Sequence, residues 1–153
     1  MPDRAPGSDG PLESLYPPEY FALLAGHHLR LADRHRTPTV FIFVRVEDGD
    51  DDGDPLAASE HAAEVVLDAV RSSDVPTRID DRTFAVLLTG EAAGAEDVVL
   101  SRIVEAIARG PSGGTSGREI SLSVGTARYE PGSGVSLDSI VQSAVRRMSS
   151  DER

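Results

Sequence analysis

A chain of 153 residues, 39% hydrophobic and 27% charged, fits one soluble domain and is long enough to bury a core. Its net charge of −11 excludes non-specific attachment to nucleic acid, which needs a cationic face, and no apolar run reaches the ~20 residues of a membrane span. Cysteine and lysine are both absent, which excludes disulfides, cysteine-ligated zinc and Schiff-base chemistry and suits a cytoplasmic protein.

Residues 1–14, rich in Pro, Gly, Asp and Ser, read as a disordered tail, and 15–150 as one folded domain. From Pro17 to Arg36, Tyr20, Phe21, Leu24, His28, Leu29 and Leu31 recur at helical spacing, with prolines at the entry, where a missing N–H costs nothing. Val40 to Val46 is a β-branched and aromatic run fit for a buried strand. The acidic stretch Glu47 to Asp54 follows. Asp48, Asp50, Asp52 and Gly53 match the first half of a calcium loop, but the closing acid, Glu60, falls one position late, so a solvated loop is the better reading. Residues 57–70 return to helical spacing through Ala58, Ala62, Val65, Val66, Ala69 and Val70.

Two short strands, Pro76 to Ile79 and Thr83 to Thr89, are joined by the turn-forming Asp80, Asp81 and Arg82. Glu96 to Arg109 is an amphipathic helix, Pro111 to Gly117 a loop by composition, Ile120 to Ala127 a strand and Leu137 to Met148 a last helix. The order α-β-α-β-β-α-β-α predicts an α/β sandwich with a mixed sheet between helices. His27 and His28 are adjacent and cannot share a metal on one helix face. Ser121, Ser123 and Thr126 lie in a strand without the turn that exposes a catalytic serine.

The stretch from Arg71 to Leu88, R-S-S-D-V-P-T-R-I-D-D-R-T-F-A-V-L-L, resembles the centre of a GGDEF domain, the bacterial module that makes cyclic di-GMP. Leu15, Tyr16, Tyr20 and Phe21 are similar to the family's opening, and Ser121 to Gly125 to its later V-S-x-S-x-G strand. The resemblance covers Leu12 to Met148 and implies a cyclase-like fold. Its five signature positions here read Asp80, Asp81, Arg82, Thr83 and Phe84. The family's cyclisation uses two divalent metals, and hard cations need carboxylate oxygens. Arg45 stands in the D-x-D that ends the first strand, Arg82 and Thr83 stand at the acidic signature positions, and the guanine-holding segment is replaced by D-G-D-D-D-G-D-P. The resemblance therefore implies no catalytic residues, no metal and no cofactor, and diguanylate cyclase activity is not expected.

Arg71 and Asp74 keep the spacing of the family's product-binding Arg-x-x-Asp, and Arg102 stands at the position of a further arginine on the next helix. A guanidinium can fork onto phosphate or a guanine edge and stack on the base, and a carboxylate can accept from guanine N–H groups. The plainer reading is that Arg71 complements a helix C-terminus and Asp74 is a turn residue. The resemblance implies an inactive receptor or regulatory module that binds cyclic di-GMP, with a protein partner, a dinucleotide-bridged homodimer as one arrangement, and no nucleic-acid or membrane partner. The alternative is an interaction scaffold that binds no ligand.

Overall fold

The computed structural model describes residues 11–47, 55–89, 95–109 and 122–150. Helix α1, Pro18–His35, begins with proline at its first position and ends on Arg36. Arg36 adopts the left-handed conformation at φ 61°, a position where glycine is the usual occupant. Strand β1, Thr39–Val46, is buried on both faces, with Phe41 and Phe43 to one side and Ile42, Val44 and Val46 to the other. Helix α2, Pro55–Ala69, returns the chain to strands β2, Val75–Asp80, and β3, Thr83–Leu88. Helix α3, Ala95–Arg109, strand β4, Leu122–Tyr129, and helix α4, Leu137–Ser150, complete the order.

The sheet order is β2-β3-β1-β4, and β1 is antiparallel to both β3 and β4, as β2 is to β3. The expected mixed sheet is corrected here, because every named ladder is antiparallel. Strands β1 and β2 point the same way but are separated by β3, and β3 and β4 by β1. Each helical crossover thus skips one strand, the ferredoxin-like β-α-β-β-α-β arrangement. Both crossover helices lie on one face. There α2 and α3 enclose Val65, Val66, Val99 and Ile103 with Val44, Phe84 and Val86. On the other face α1 and α4 cover Phe41, Phe43, Ala85 and Leu87. The two layers explain why the strands are apolar on both sides.

The expected tail boundary also moves. Pro11–Ser14 forms a 3₁₀ turn, and Leu12 packs against the α2–α3 core. Tyr16 then covers the β2 edge, donating its N–H to the Pro76 carbonyl at 3.0 Å and accepting from the Thr77 hydroxyl at 2.7 Å. Pro76 sits on that edge strand, where a missing ladder donor is tolerated. The acidic stretch from Asp48 to Asp54, expected as a solvated loop, and the loop from Pro111 to Gly117 lie outside the described residues, as do residues 1–10.

Candidate functional site

The chain leaves α2 at Ala69 and turns sharply through Arg71, Ser72, Ser73 and Asp74 into β2. The Asp74 N–H donates to the Arg71 carbonyl at 3.0 Å, and the Arg71 N–H donates to Asp74 Oδ2 at 2.9 Å. The guanidinium of Arg71 adds Nε to Oδ2 at 3.2 Å and Nη2 to Oδ1 at 2.9 Å. Oδ1 also accepts the Thr89 N–H at 3.2 Å. A carboxylate offers about four lone-pair positions, and all are used. Asp74 has no side-chain exposure, while Arg71 keeps 31%.

The Arg71 guanidinium also donates to the Thr89 carbonyl at 2.6 Å. It is therefore clamped between a buried carboxylate and the end of β3, and the Asp74 hydrogen bonds hold its pKa above the ordinary arginine value. Exposed Arg102 on α3 reaches the same corner, placing Nη1 3.3 Å from the Ala69 carbonyl at the end of α2. Of the expected trio, Arg71 and Asp74 pair directly, while Arg102 bonds the Ala69 carbonyl two residues before Arg71; Arg71 and Arg102 keep exposure and Asp74 is buried. In this arrangement the Asp74 oxygens are not presented to a guanine edge. The Thr89 carbonyl carries no side-chain signature, so sequence reading missed it. Only the β2–β3 register, Val75 opposite Leu87, brings it beside Asp74.

The signature turn lies at the far end of the same hairpin. Asp80 Oδ1 accepts the Arg82 N–H at 2.9 Å, a local turn device. The Asp81 carbonyl receives Ser59 Oγ and Arg78 Nη2, each at 3.1 Å, and the Arg82 carbonyl accepts the Val46 N–H at 2.8 Å. Arg78 spreads over the Phe84 ring, 5.8 Å from its centroid. Thr83 and Phe84 are buried, leaving Asp80, Asp81 and Arg82 outside. A shallow cavity of about 410 Å³ is lined by Arg45, Asp80, Asp81, Arg82, Thr83 and Val145. Two carboxylates among two guanidinium groups do not fit a pair of divalent metal ions, whose ligands are carboxylate-rich. Among the described residues no three His, Asp or Glu side chains group to hold a metal ion. Nor is any helix among them long and apolar enough to cross a membrane.

Comparison with known proteins bears on both corners. A family model described as diguanylate cyclase, GGDEF domain, matches residues 19–153. No curated protein matches the chain. The GGDEF domain of TpbB (YfiN) from Pseudomonas aeruginosa is 25% identical, with a TM-score of 0.72, covering 92% of this chain and 86% of that one. The GGDEF domain of DgcB from Caulobacter crescentus, solved in complex with c-di-GMP, is 21% identical, with a TM-score of 0.72 over 100% of this chain and 94% of that one. Diguanylate cyclase SiaD of Pseudomonas aeruginosa, solved with its activator SiaC, is 18% identical, with a TM-score of 0.71 over 95% of this chain and 58% of that one. These findings overturn the expectation that diguanylate cyclase activity is absent: the matching family is that of the cyclases, and the comparisons point toward that class.

Proposed function

This chain belongs to the diguanylate cyclase GGDEF domain family, and we propose that it serves cyclic di-GMP signalling as a regulatory module that binds the dinucleotide through Arg71 and Arg102. The observation that carries the reading is their convergence at the end of α2, with Arg71 fixed by Asp74 and Thr89. Two oriented guanidinium groups suit a ligand with two phosphates and two guanine faces, since each can fork onto phosphate or stack on a base. Asp74 acts by holding Arg71 in place. The ordering cost of Arg71 has been met before the ligand arrives, which favours affinity. That a relative of the same fold was solved with c-di-GMP supports the choice of ligand.

Isothermal calorimetry tests it. Cyclic di-GMP is expected to bind with a Kd of about 1 μM to 10 μM, equivalent to about 7–8 kcal/mol. Arg102→Ala, an exposed change, is expected to weaken binding about tenfold or more, the loss of one charge-assisted contact. No heat from the wild-type chain at millimolar ligand refutes the reading.

One observation favours a second reading, an interaction surface that takes no dinucleotide. Arg71 and Asp74 satisfy each other internally, as a purely structural turn would. Exposed Tyr20 and Leu23 on α1 then offer an apolar contact for a protein partner. Absence of dinucleotide binding, together with capture of a partner that Leu23→Asp abolishes, would establish it.

A further inference from the structure

Helix α1 lays Phe21, Ala25, Leu29 and Ala32 into the core. At about 100° per residue, the face turned away from them carries Glu19, Tyr20, Leu23, His27 and Arg30. All five are exposed, with Tyr20 and Leu23 keeping 44% and 66% of their surface, and neither belongs to a core cluster. A lone exposed leucine is ordinary. This one stands between an acid and a base, and neither Glu19 nor Arg30 has an ion-pair partner among the described residues.

Two details fix how the face is presented. Tyr16 stacks on Tyr20 with ring centroids 5.2 Å apart, and Tyr16 is itself tied to β2 through the Pro76 carbonyl and the Thr77 hydroxyl. Tyr20 is thus held from within the chain, which lowers the ordering cost of any contact it makes outside. Arg30 lies back along the helix over Gly26, since a Cβ on that glycine would meet Arg30 Nη1 at 3.7 Å. Its charge therefore sits level with Gly26, not with its own Cα.

The face is symmetric about Leu23. Glu19 and Tyr20 stand one turn before it, and the Arg30 guanidinium over Gly26 and the His27 ring stand one turn after, about 4.5–6 Å along the axis in either direction. A second α1 laid antiparallel, with a two-fold axis beside Leu23, sets leucine against leucine. It also sets Glu19 of each copy against the Arg30 guanidinium of the other, and Tyr20 against His27. We infer that this face of α1 is a self-complementary contact at which two copies of the chain pair antiparallel. The two-fold axis makes every contact twice. With a net charge of −11 on each copy and one helix a side, the pairing belongs to the weak, reversible class. It takes up the apolar α1 face of the second reading above and gives it one occupant. It needs no dinucleotide and shares no residue with the Arg71–Arg102 corner.

Sedimentation equilibrium of the full chain, at physiological salt and without dinucleotide, tests it. A monomer–dimer equilibrium with a Kd of about 10–300 μM is expected. Leu23→Asp should leave monomer alone at about 1 mM chain. Glu19→Arg and Arg30→Glu each remove both symmetric ion pairs and oppose like charges, and each is expected to weaken pairing about tenfold. Combining them restores opposite charges across the axis and should recover the wild-type Kd within about threefold. All three positions are exposed, so the variants test the contact without threatening the fold. A chain that stays monomeric at about 1 mM overturns the inference, as does a dimer that survives Leu23→Asp or a double variant no stronger than its singles. So does a dimer that forms only on adding cyclic di-GMP and is lost in Arg102→Ala, which would belong to the other corner. Dinucleotide binding itself is measured by calorimetry, so the two proposals fail by different measurements.

Discussion

Replacing Asp74 with alanine puts the turn between α2 and β2 to a quantitative test. The carboxylate is wholly buried and accepts the backbone N–H groups of Arg71 and Thr89 together with the Arg71 guanidinium. Alanine strands the two backbone donors, and each orphaned donor costs about 1–3 kcal/mol. The guanidinium is 31% exposed, so it can hydrate, and its share is closer to the roughly 0–1 kcal/mol of a surface pair. The sum is about 3–5 kcal/mol, a large part of the roughly 5–15 kcal/mol that holds a domain together. At this chain length that is a fall in melting temperature of about 8–15 °C, measured by circular dichroism. Arg71→Ala leaves the carboxylate buried with its two backbone donors, so it also destabilises. The double variant should then cost less than the two singles together by up to about 1 kcal/mol, the share of the ion pair itself. An Asp74→Ala chain that melts within about 2 °C of wild type would refute the reasoning.

Other positions give shorter tests, each read by thermal or urea denaturation. Phe84 is fully buried between the sheet and α2, and Phe84→Ala is expected to cost about 3–5 kcal/mol. Arg36 holds φ 61°, so Arg36→Gly should stabilise the chain by about 0.5–1 kcal/mol, the left-handed penalty less the entropy of glycine. Burial holds the imidazole of His61 below its ordinary 6.5, against an opposing pull from Glu64. The unfolded chain then binds the proton more readily, so stability present above pH 6.5 is lost as pH falls toward the folded value. His61→Leu should flatten that part of the pH profile. Asp33 accepts the Gly132 N–H at 2.7 Å and the Tyr129 hydroxyl at 2.8 Å, and these bonds hold its pKa down. Its contribution is present above the usual carboxylate range and disappears as pH falls through the folded value, and Asp33→Asn should remove that acid-side loss.

Much of this fold is legible from periodicity, and the exceptions have physical causes. The apolar runs of β1 and β3 announce strands buried on both faces. They do not announce direction, because parallel and antiparallel central strands are equally apolar. That is why the antiparallel ladders correct the expected mixed sheet. Leu12 was lost in a Pro- and Gly-rich stretch whose composition masks a single core contact. The pairing of Arg71 with Asp74 suits their three-residue spacing, whereas their division of labour does not follow from it. Burial of Asp74 depends on the Thr89 backbone, and a backbone partner leaves no trace in side-chain identity.

The Arg71 corner and the signature turn occupy opposite ends of one hairpin, and this restricts how a ligand at one could be felt at the other. β3 runs from Thr83 to Leu88, about 20 Å at the usual rise per residue. All six of its residues are buried, between two packed layers. A close-packed interior does not transmit small displacements piecemeal. An effect of cyclic di-GMP on Asp81 and Arg82 must therefore move or stiffen the whole strand. Hydrogen exchange can decide this. If the dinucleotide slows exchange at Arg82 and Thr83, it must also slow it at Ala85, Val86 and Leu87. Protection at the turn with an unchanged strand would mean that the ligand sits at the turn itself, not at Arg71.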